Sequence, residues 1–274
     1  MMNNTQTDNL TIGIAGTGAI GSAVARALIN GIDGLTLTAA CDPTPNPELN
    51  IPYVSIDTLI DRCDIIIECL PPAAAPELAI KTLKHPDAAQ KTLILISSCA
   101  LLIYPEILDT HRDIPKGQQS RIIVPSGALL GIDGVKALKK LGIKSSKIAS
   151  TKKPLGFTGA PYVEEMGIDL GIITEPTRIF KGNATEAAKG FPANVNVAAT
   201  LSLAGIGAQD TSVEIWADPD ITGNTHEIEV IGEFSQISAK ITNHPDPANP
   251  KSSMLAAQSI IACLEDMNSA LIIL

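Results

Sequence analysis

Apolar and polar positions follow two different rhythms along this chain. Over the first half, short continuous apolar runs are separated by helical stretches. Residues 11–16 (TIGIAG), 35–41 (LTLTAAC), 64–70 (DIIIECL), 92–98 (TLILISS) and 121–126 (RIIVPS) read as buried strands. Residues 19–30, the IDTLIDRC segment, residues 73–84 and a piece near 104–111 read as helices between them. Gly31, Gly34, Pro71 and Pro72 supply the breaks. Strands that are apolar throughout, rather than alternating, imply burial on both faces. Their regular exchange with helices predicts right-handed crossovers and a doubly wound parallel sheet.

After about residue 127 the rhythm changes. GVKALKKLG, EAAKG and VNVAATLSLAGIG read as helices. TSVEIWAD (211–218) and HEIEVIGEFSQISAKIT (226–242) alternate polar with apolar positions, the period of strands covered on one face. Gly232-Glu233 divides the second of these and marks a hairpin or bulge. An apolar-striped helix, KSSMLAAQSIIACLEDM, closes the chain after Pro245, Pro247 and Pro250. The expected fold is α/β. A Rossmann-type doubly wound parallel sheet occupies residues 1–126, and an α+β domain with an antiparallel sheet occupies residues 127–249.

Composition narrows the partners. The 274 residues are 45% hydrophobic and 18% charged, enough to bury a sizeable core. Aromatics are 3%, so that core is expected to be built from Ala, Val, Ile and Leu. A net charge of −9 argues against nucleic acid and against an anionic membrane surface, while leaving room for a local basic pocket. Cys41, Cys63, Cys69, Cys99 and Cys263 are scattered, as expected of free thiols in a reducing cytosol. The polar start MMNNTQTDNL resembles no signal peptide, and no apolar run approaches a membrane span. A cytoplasmic protein is the expectation. The histidines and cysteines show no metal-ligand spacing.

The first strand leads into Gly16-Thr17-Gly18-Ala19-Ile20-Gly21 and then a helix. In such a loop Gly16 permits the tight turn, Gly18 lets the backbone approach a pyrophosphate, and Gly21 lets helix and strand pack closely. The N–H groups at the helix start, with Ala19 and Ile20, face the phosphates. Asp42 follows Gly21 by 21 residues, at the end of the second strand, which is the context the motif requires. Asp42 can accept hydrogen bonds from the ribose hydroxyls and would repel a 2′-phosphate. That favours NAD, although such an acid does not always exclude NADP; a solvated loop aspartate is the plainer alternative. Two further strand ends, Cys69-Leu70-Pro71-Pro72 and Ser97-Ser98-Cys99-Ala100, are placed at the carboxyl edge of the sheet, where ligands bind.

The second half offers fewer chemical groups. His85 and His111 lie in polar stretches expected at the surface, and His244 sits among prolines. His226 starts a strand after Gly223-Asn224-Thr225, and taken alone it reads as a structural or surface histidine. Phe191-Pro192-Ala193-Asn194-Val195-Asn196 opens an apolar helix. An asparagine there reads first as an N-cap, and beside a cofactor cleft it can also hold an amide or carboxylate.

The segments GIAGTGAIGSAVARAL, SGALLGIDGVKAL, TKKP, FPANVNVAATLSLAG, HEIEVIGEF and NPKSSMLAAQSI, in this order, resemble the L-aspartate dehydrogenase family. The resemblance implies that His226 is catalytic and that Ala128 and Asn196 contact the cofactor. It also implies oxidation of L-aspartate to iminoaspartate with NAD or NADP, the imine hydrolysing to oxaloacetate and ammonia or feeding NAD biosynthesis. It further implies that the final helix (250–274) returns to complete the dinucleotide-binding domain, and that the second sheet helps form a homodimer. Two substrate carboxylates need cations or amide donors. Lys152 and Lys153 are the cationic candidates, with Asn194 and Asn196 as donors. The family often has Arg-Lys where this chain has Lys-Lys, and a lysine acts as a point charge rather than a bidentate fork. An unperturbed histidine titrates near pH ~6.5, within a working range. A related dehydrogenase acting on another amino acid or an imine, and a dinucleotide sensor without turnover, remain as alternatives. The motifs that mark dihydrodipicolinate reductases and homoserine dehydrogenases are not found.

Overall fold

The computed structural model describes residues 9–244 and 254–273. The prolines at 245, 247 and 250 and the start of the NPKSSMLAAQSI segment lie outside the described residues. The first half alternates as expected: β1 (Leu10–Ala15), α1 (Ala19–Asn30), β2 (Leu35–Cys41), α2 (Ile56–Arg62), β3 (Ile65–Glu68), α3 (Ala75–Leu83), β4 (Thr92–Leu95), α4 (Ala100–Ile103), α5 (Glu106–Asp113) and β5 (Arg121–Ile123). The strands form one sheet in the order β2-β1-β3-β4-β5, and every pairing is parallel.

Ile12, Ile14, Ile66, Ile67, Leu93 and Ile94 are fully buried, and successive strand residues point to opposite faces. One face packs on Leu59, Leu78, Leu83 and Ile107 of α2, α3 and α5. The other packs on Val24, Leu28, Ile260 and Leu264. The last two belong to α10 (Met254–Asn268), so the end of the chain covers the same sheet face as α1. The strand order reverses direction between β1 and β3, and a ligand crevice opens at such a switch point.

The second half comprises α6 (Ile132–Leu141), β6 (Ile143–Lys152), α7 (Pro161–Glu165), β7 (Thr177–Asn183), α8 (Ala184–Gly190), α9 (Asn196–Ala204), β8 (Thr211–Ala217), β9 (Asn224–Gly232) and β10 (Gln236–Asn243). Here the sequence reading needs correction. The sheet runs β10-β9-β6-β8-β7 and is mixed: β6 pairs in parallel with β8, and the other three pairings are antiparallel. The parallel pair arises because β7, α8 and α9 intervene between β6 and β8. Gly232-Glu233 does mark a hairpin, the one joining β9 to β10. Strands β6 and β7 carry no clear alternation in the sequence and were not expected.

Helices α6, α8 and α9 cover one face of this sheet, and Ile148, Val213, Ile215, Ile228 and Val230 are buried among them. Aliphatic residues dominate, with one exception. Four of the eight aromatic residues, Phe157, Tyr162, Phe180 and Phe191, form a single cluster. Phe191 stands edge-on to Phe157 (centroids 5.9 Å apart, planes at 81°) and to Phe180 (5.5 Å, 69°). No helix of the described residues is long and apolar enough to cross a membrane.

Candidate active site

The carboxyl edge of the parallel sheet faces the second sheet across a cavity of about 310 Å³. Its near wall is the glycine turn. Gly16 has φ +91°, which a side chain rarely adopts, and a Cβ there would collide with the carbonyl of Cys69. A Cβ on Gly21 would collide with the carbonyl of Gly16. Gly18, in contrast, has open space where its Cβ would be, and it lines the cavity with Ala19, Ile20 and Cys69. Two glycines are therefore required by packing and the third by what approaches from outside. This is the shape a dinucleotide pyrophosphate needs, with the helix start behind it.

Asp42 braces this turn. Its Oδ2 accepts from Thr17 N–H at 2.6 Å and from Thr17 Oγ1 at 3.1 Å, and Oδ1 accepts from Thr44 N–H at 2.8 Å. A carboxylate has about four acceptor positions, so Asp42 keeps capacity for a ribose hydroxyl while fixing the loop. Neither Asp42 nor Leu70 lines the cavity itself. Leu70 instead donates its N–H to Glu68 Oε1 at 2.7 Å, and Ser97 N–H donates to Glu68 Oε2 at 3.0 Å. The fully buried Glu68 thus ties the β3 and β4 loop ends together. Burial pushes its carboxyl up to about 7, against the lowering effect of these N–H donors.

The far wall comes from the second sheet. Lys152, Asn194, Asn196, Asn224, His226 and Asn243 line the cavity beside Ala128. His226 is buried, and its Nδ1 lies 2.9 Å from Ser150 Oγ on the neighbouring strand, where the register pairs the two residues. That bond sets the ring orientation. Burial, and secondarily the charge of Lys152, push His226 down to about 3. This corrects the sequence expectation: the imidazole is neutral throughout the ordinary working range. Lys152 is lowered to about 8 by burial. Its Nζ donates to Asn194 Oδ1 at 3.0 Å.

Neither asparagine caps α9. The N-cap residue is Val195, and no side chain bonds the helix start. Asn194 is taken by Lys152. Asn196 accepts from Cys99 N–H through Oδ1 at 3.2 Å, and its carbonyl accepts from Ser98 Oγ at 2.8 Å. Cys99 Sγ also donates to the Pro192 carbonyl at 3.0 Å. The β4 loop and the start of α9 are latched together by these bonds, while the Phe191 ring anchors the segment from below. Lys153 does not join the site. It is exposed and absent from the cavity wall, because it follows Lys152 by one residue and the chain turns there into Pro154.

His85 and His111 are half-buried rather than surface residues. His85 Nε2 meets Asp61 at 3.0 Å and His111 Nε2 meets the Ser120 carbonyl at 2.9 Å. Both lie outside the cavity wall. His244 is exposed. Ser150, Asn224, Asn243 and Glu68 are site residues that the sequence reading passed over. Asn224 could have been found from its period-two spacing to His226; Glu68, from being the one acid inside an apolar strand.

Residues 133–267 match the family described as aspartate dehydrogenase, C-terminal, and residues 1–96 match the NAD-binding domain of D-isomer specific 2-hydroxyacid dehydrogenases. The chain is 39% identical to L-aspartate dehydrogenase 3 of Bordetella bronchiseptica, over 96% of each chain. It is 40% identical to the L-aspartate dehydrogenase of Bradyrhizobium diazoefficiens, over 99% of this chain and 96% of the other. The crystal structure of aspartate dehydrogenase from Thermotoga maritima superposes with a TM-score of 0.72 at 25% identity, covering 97% of this chain and 99% of that one. With relatives this similar along nearly its whole length, the chain belongs to the L-aspartate dehydrogenase family.

Proposed function

We infer that this protein is a nicotinamide-dependent L-aspartate dehydrogenase, oxidising L-aspartate to iminoaspartate. The observation that carries the reading is the cavity itself: an open glycine turn on one wall and, on the other, the half-buried Lys152–Asn194 pair beside the buried His226. When bound, NAD(P)⁺ supplies the hydride acceptor. The turn from Gly16 to Gly21 would hold its pyrophosphate, Asp42 its adenosine ribose, and Ala128 and Asn196 its nicotinamide end. Asp42 favours NAD over NADP, since a second anion beside its carboxylate is repelled.

The protein's own groups supply charge placement and proton handling. Lys152, held by Asn194, attracts a substrate carboxylate into a buried site where its charge is poorly screened. That carboxylate offsets the charge of Lys152, so both Lys152 and His226 become more basic once substrate is seated. The neutral His226 imidazole, oriented by Ser150, then takes the amine proton or aligns the water that attacks the imine. A sensor without turnover has no use for such a cluster facing its ligand.

Residues 1–126 together with the final segment 250–274 are proposed as the dinucleotide-binding domain, and 127–249 as the substrate-binding and dimerisation domain. The sheet face away from α6, α8 and α9 carries Lys147, Ala149, Glu227, Glu229 and Lys240, with Lys240 Nζ 2.7 Å from Glu227. Such mixed charge is self-complementary about a two-fold axis, and this is the proposed homodimer face. Five free cysteines agree with a cytoplasmic setting.

The test is a panel of amino acids offered with NAD and with NADP, following the absorbance of the reduced cofactor. L-aspartate is expected to be the preferred substrate. Preference for another amino acid would reassign the substrate, and cofactor binding without turnover on any of them would overturn the enzyme reading.

A further inference from the structure

One polar group on the cavity wall has no task in the reaction as described. Asn243 closes β10 and lines the cavity, and its side-chain nitrogen is buried without a hydrogen-bond partner among the described residues. Buried donors are rarely left unpaired, and a donor on a residue that lines a ligand cavity can be satisfied by the ligand. The sheet register gives the position meaning. Asn243 stands opposite Asn224 on β9, and the pairing of Thr225 with Thr151 places Asn224 beside Lys152 on β6. One row of donors therefore crosses three strands, about 10 Å from end to end at the ~4.8 Å strand spacing. His226 and Ser150 form the next row, two residues along each strand. The row has a cation at one end and an unpaired amide at the other.

We propose that Asn243 is a specificity-determining residue that binds one of the two substrate carboxylates, while Lys152 and Asn194 hold the other. The assignment rests on the aspartate reading of the site. The register supports two ends. Lys152 on β6 and Asn243 on β10 flank β9, the strand that carries His226, so the imidazole stands between the two carboxylate positions. A seated four-carbon diacid fills both ends of the row. An amino acid with an apolar side chain of the same length leaves the Asn243 N–H groups buried and unpaired, which penalises it.

The experiment compares wild type with Asn243→Ala and Asn243→Asp. It measures kcat and KM for L-aspartate, and inhibition by succinate, a diacid, and by butyrate, a monoacid of equal length. Affinity for the reduced cofactor serves as the check on folding. Expected for Asn243→Ala is a rise in KM for aspartate and in Ki for succinate of about ten- to a hundredfold, the loss of a hydrogen bond to a charged group. The Ki for butyrate, kcat and cofactor affinity should stay within about twofold. Asn243→Asp, which sets carboxylate against carboxylate, should raise KM and the succinate Ki further. Unchanged KM in Asn243→Ala, or equal weakening of succinate and butyrate in both variants, overturns the assignment while wild-type turnover upholds the aspartate reading. Wild-type protein that does not oxidise aspartate overturns both.

Discussion

At the scale of single residues, the site is governed by burial acting on charge. His226 and Lys152 are both pushed toward their neutral forms by desolvation, and each is held in place by one neighbour, Ser150 and Asn194 respectively. Replacing His226 by Ala should lower kcat by about 10²–10⁴, the usual contribution of a positioned acid–base group. Cofactor affinity should be preserved, because the glycine turn lies on the opposite wall. Unchanged turnover would remove His226 from the chemistry. Lys152 gives a pH signature of its own. Its charge in the free protein is lost as pH rises through about 8. The Ki for succinate, which has no amine to titrate, should therefore climb about tenfold per pH unit above that point. In Lys152→Met the Ki should be high and independent of pH over the same range. A flat wild-type profile would show that Lys152 does not hold the carboxylate.

At the scale of elements, two ties shape the cavity. Phe191 seats the Pro192–Asn196 segment, and Glu68 joins the ends of β3 and β4. Truncating Phe191 to Ala empties the middle of the aromatic cluster and should cost about 3–5 kcal/mol of stability, read from denaturant unfolding. Glu68 makes stability depend on pH in a definite direction. Its folded pKa of about 7 lies above the ordinary 4.5, so the folded protein holds this proton more tightly than the unfolded chain does. Its favourable contribution is complete below about pH 4.5 and is lost as pH rises through about 7, amounting to about 3 kcal/mol. Glu68→Gln should accordingly gain about that much relative to wild type between about pH 5 and about pH 8. Parallel stability profiles for the two proteins would contradict the buried, protonated carboxyl.

At the scale of the whole molecule, the candidate site is a cavity between the two sheets, and α10 packs on α1. A dimer through the outer face of the second sheet should give a solution mass of twice 28.6 kDa by light scattering. Ala149→Arg, in the middle of that face, should reduce it to the monomer mass while leaving NAD binding in place. A wild-type monomer would remove the proposed interface.

The sequence by itself determined the parallel sheet, the glycine turn and the family. Continuous apolar strands and a motif with fixed local geometry need no tertiary information to be read. It also contained His226, although only the family resemblance gave that residue a role. The strand that carries Ser150 and Lys152, β6, was invisible. Ser146, Ser150 and Lys152 share its inward face with a single apolar residue, Ile148, so the usual alternation is erased. Only the tertiary structure decided that Lys152 points into the cavity and Lys153 to solvent, or that Asn194 and Asn196 serve partners other than their own helix. It alone decided the histidine's charge state and left the Asn243 amide nitrogen without a partner among the described residues. Each of these depends on which strand lies beside which, and register between strands far apart in the chain is set by folding rather than by local pattern.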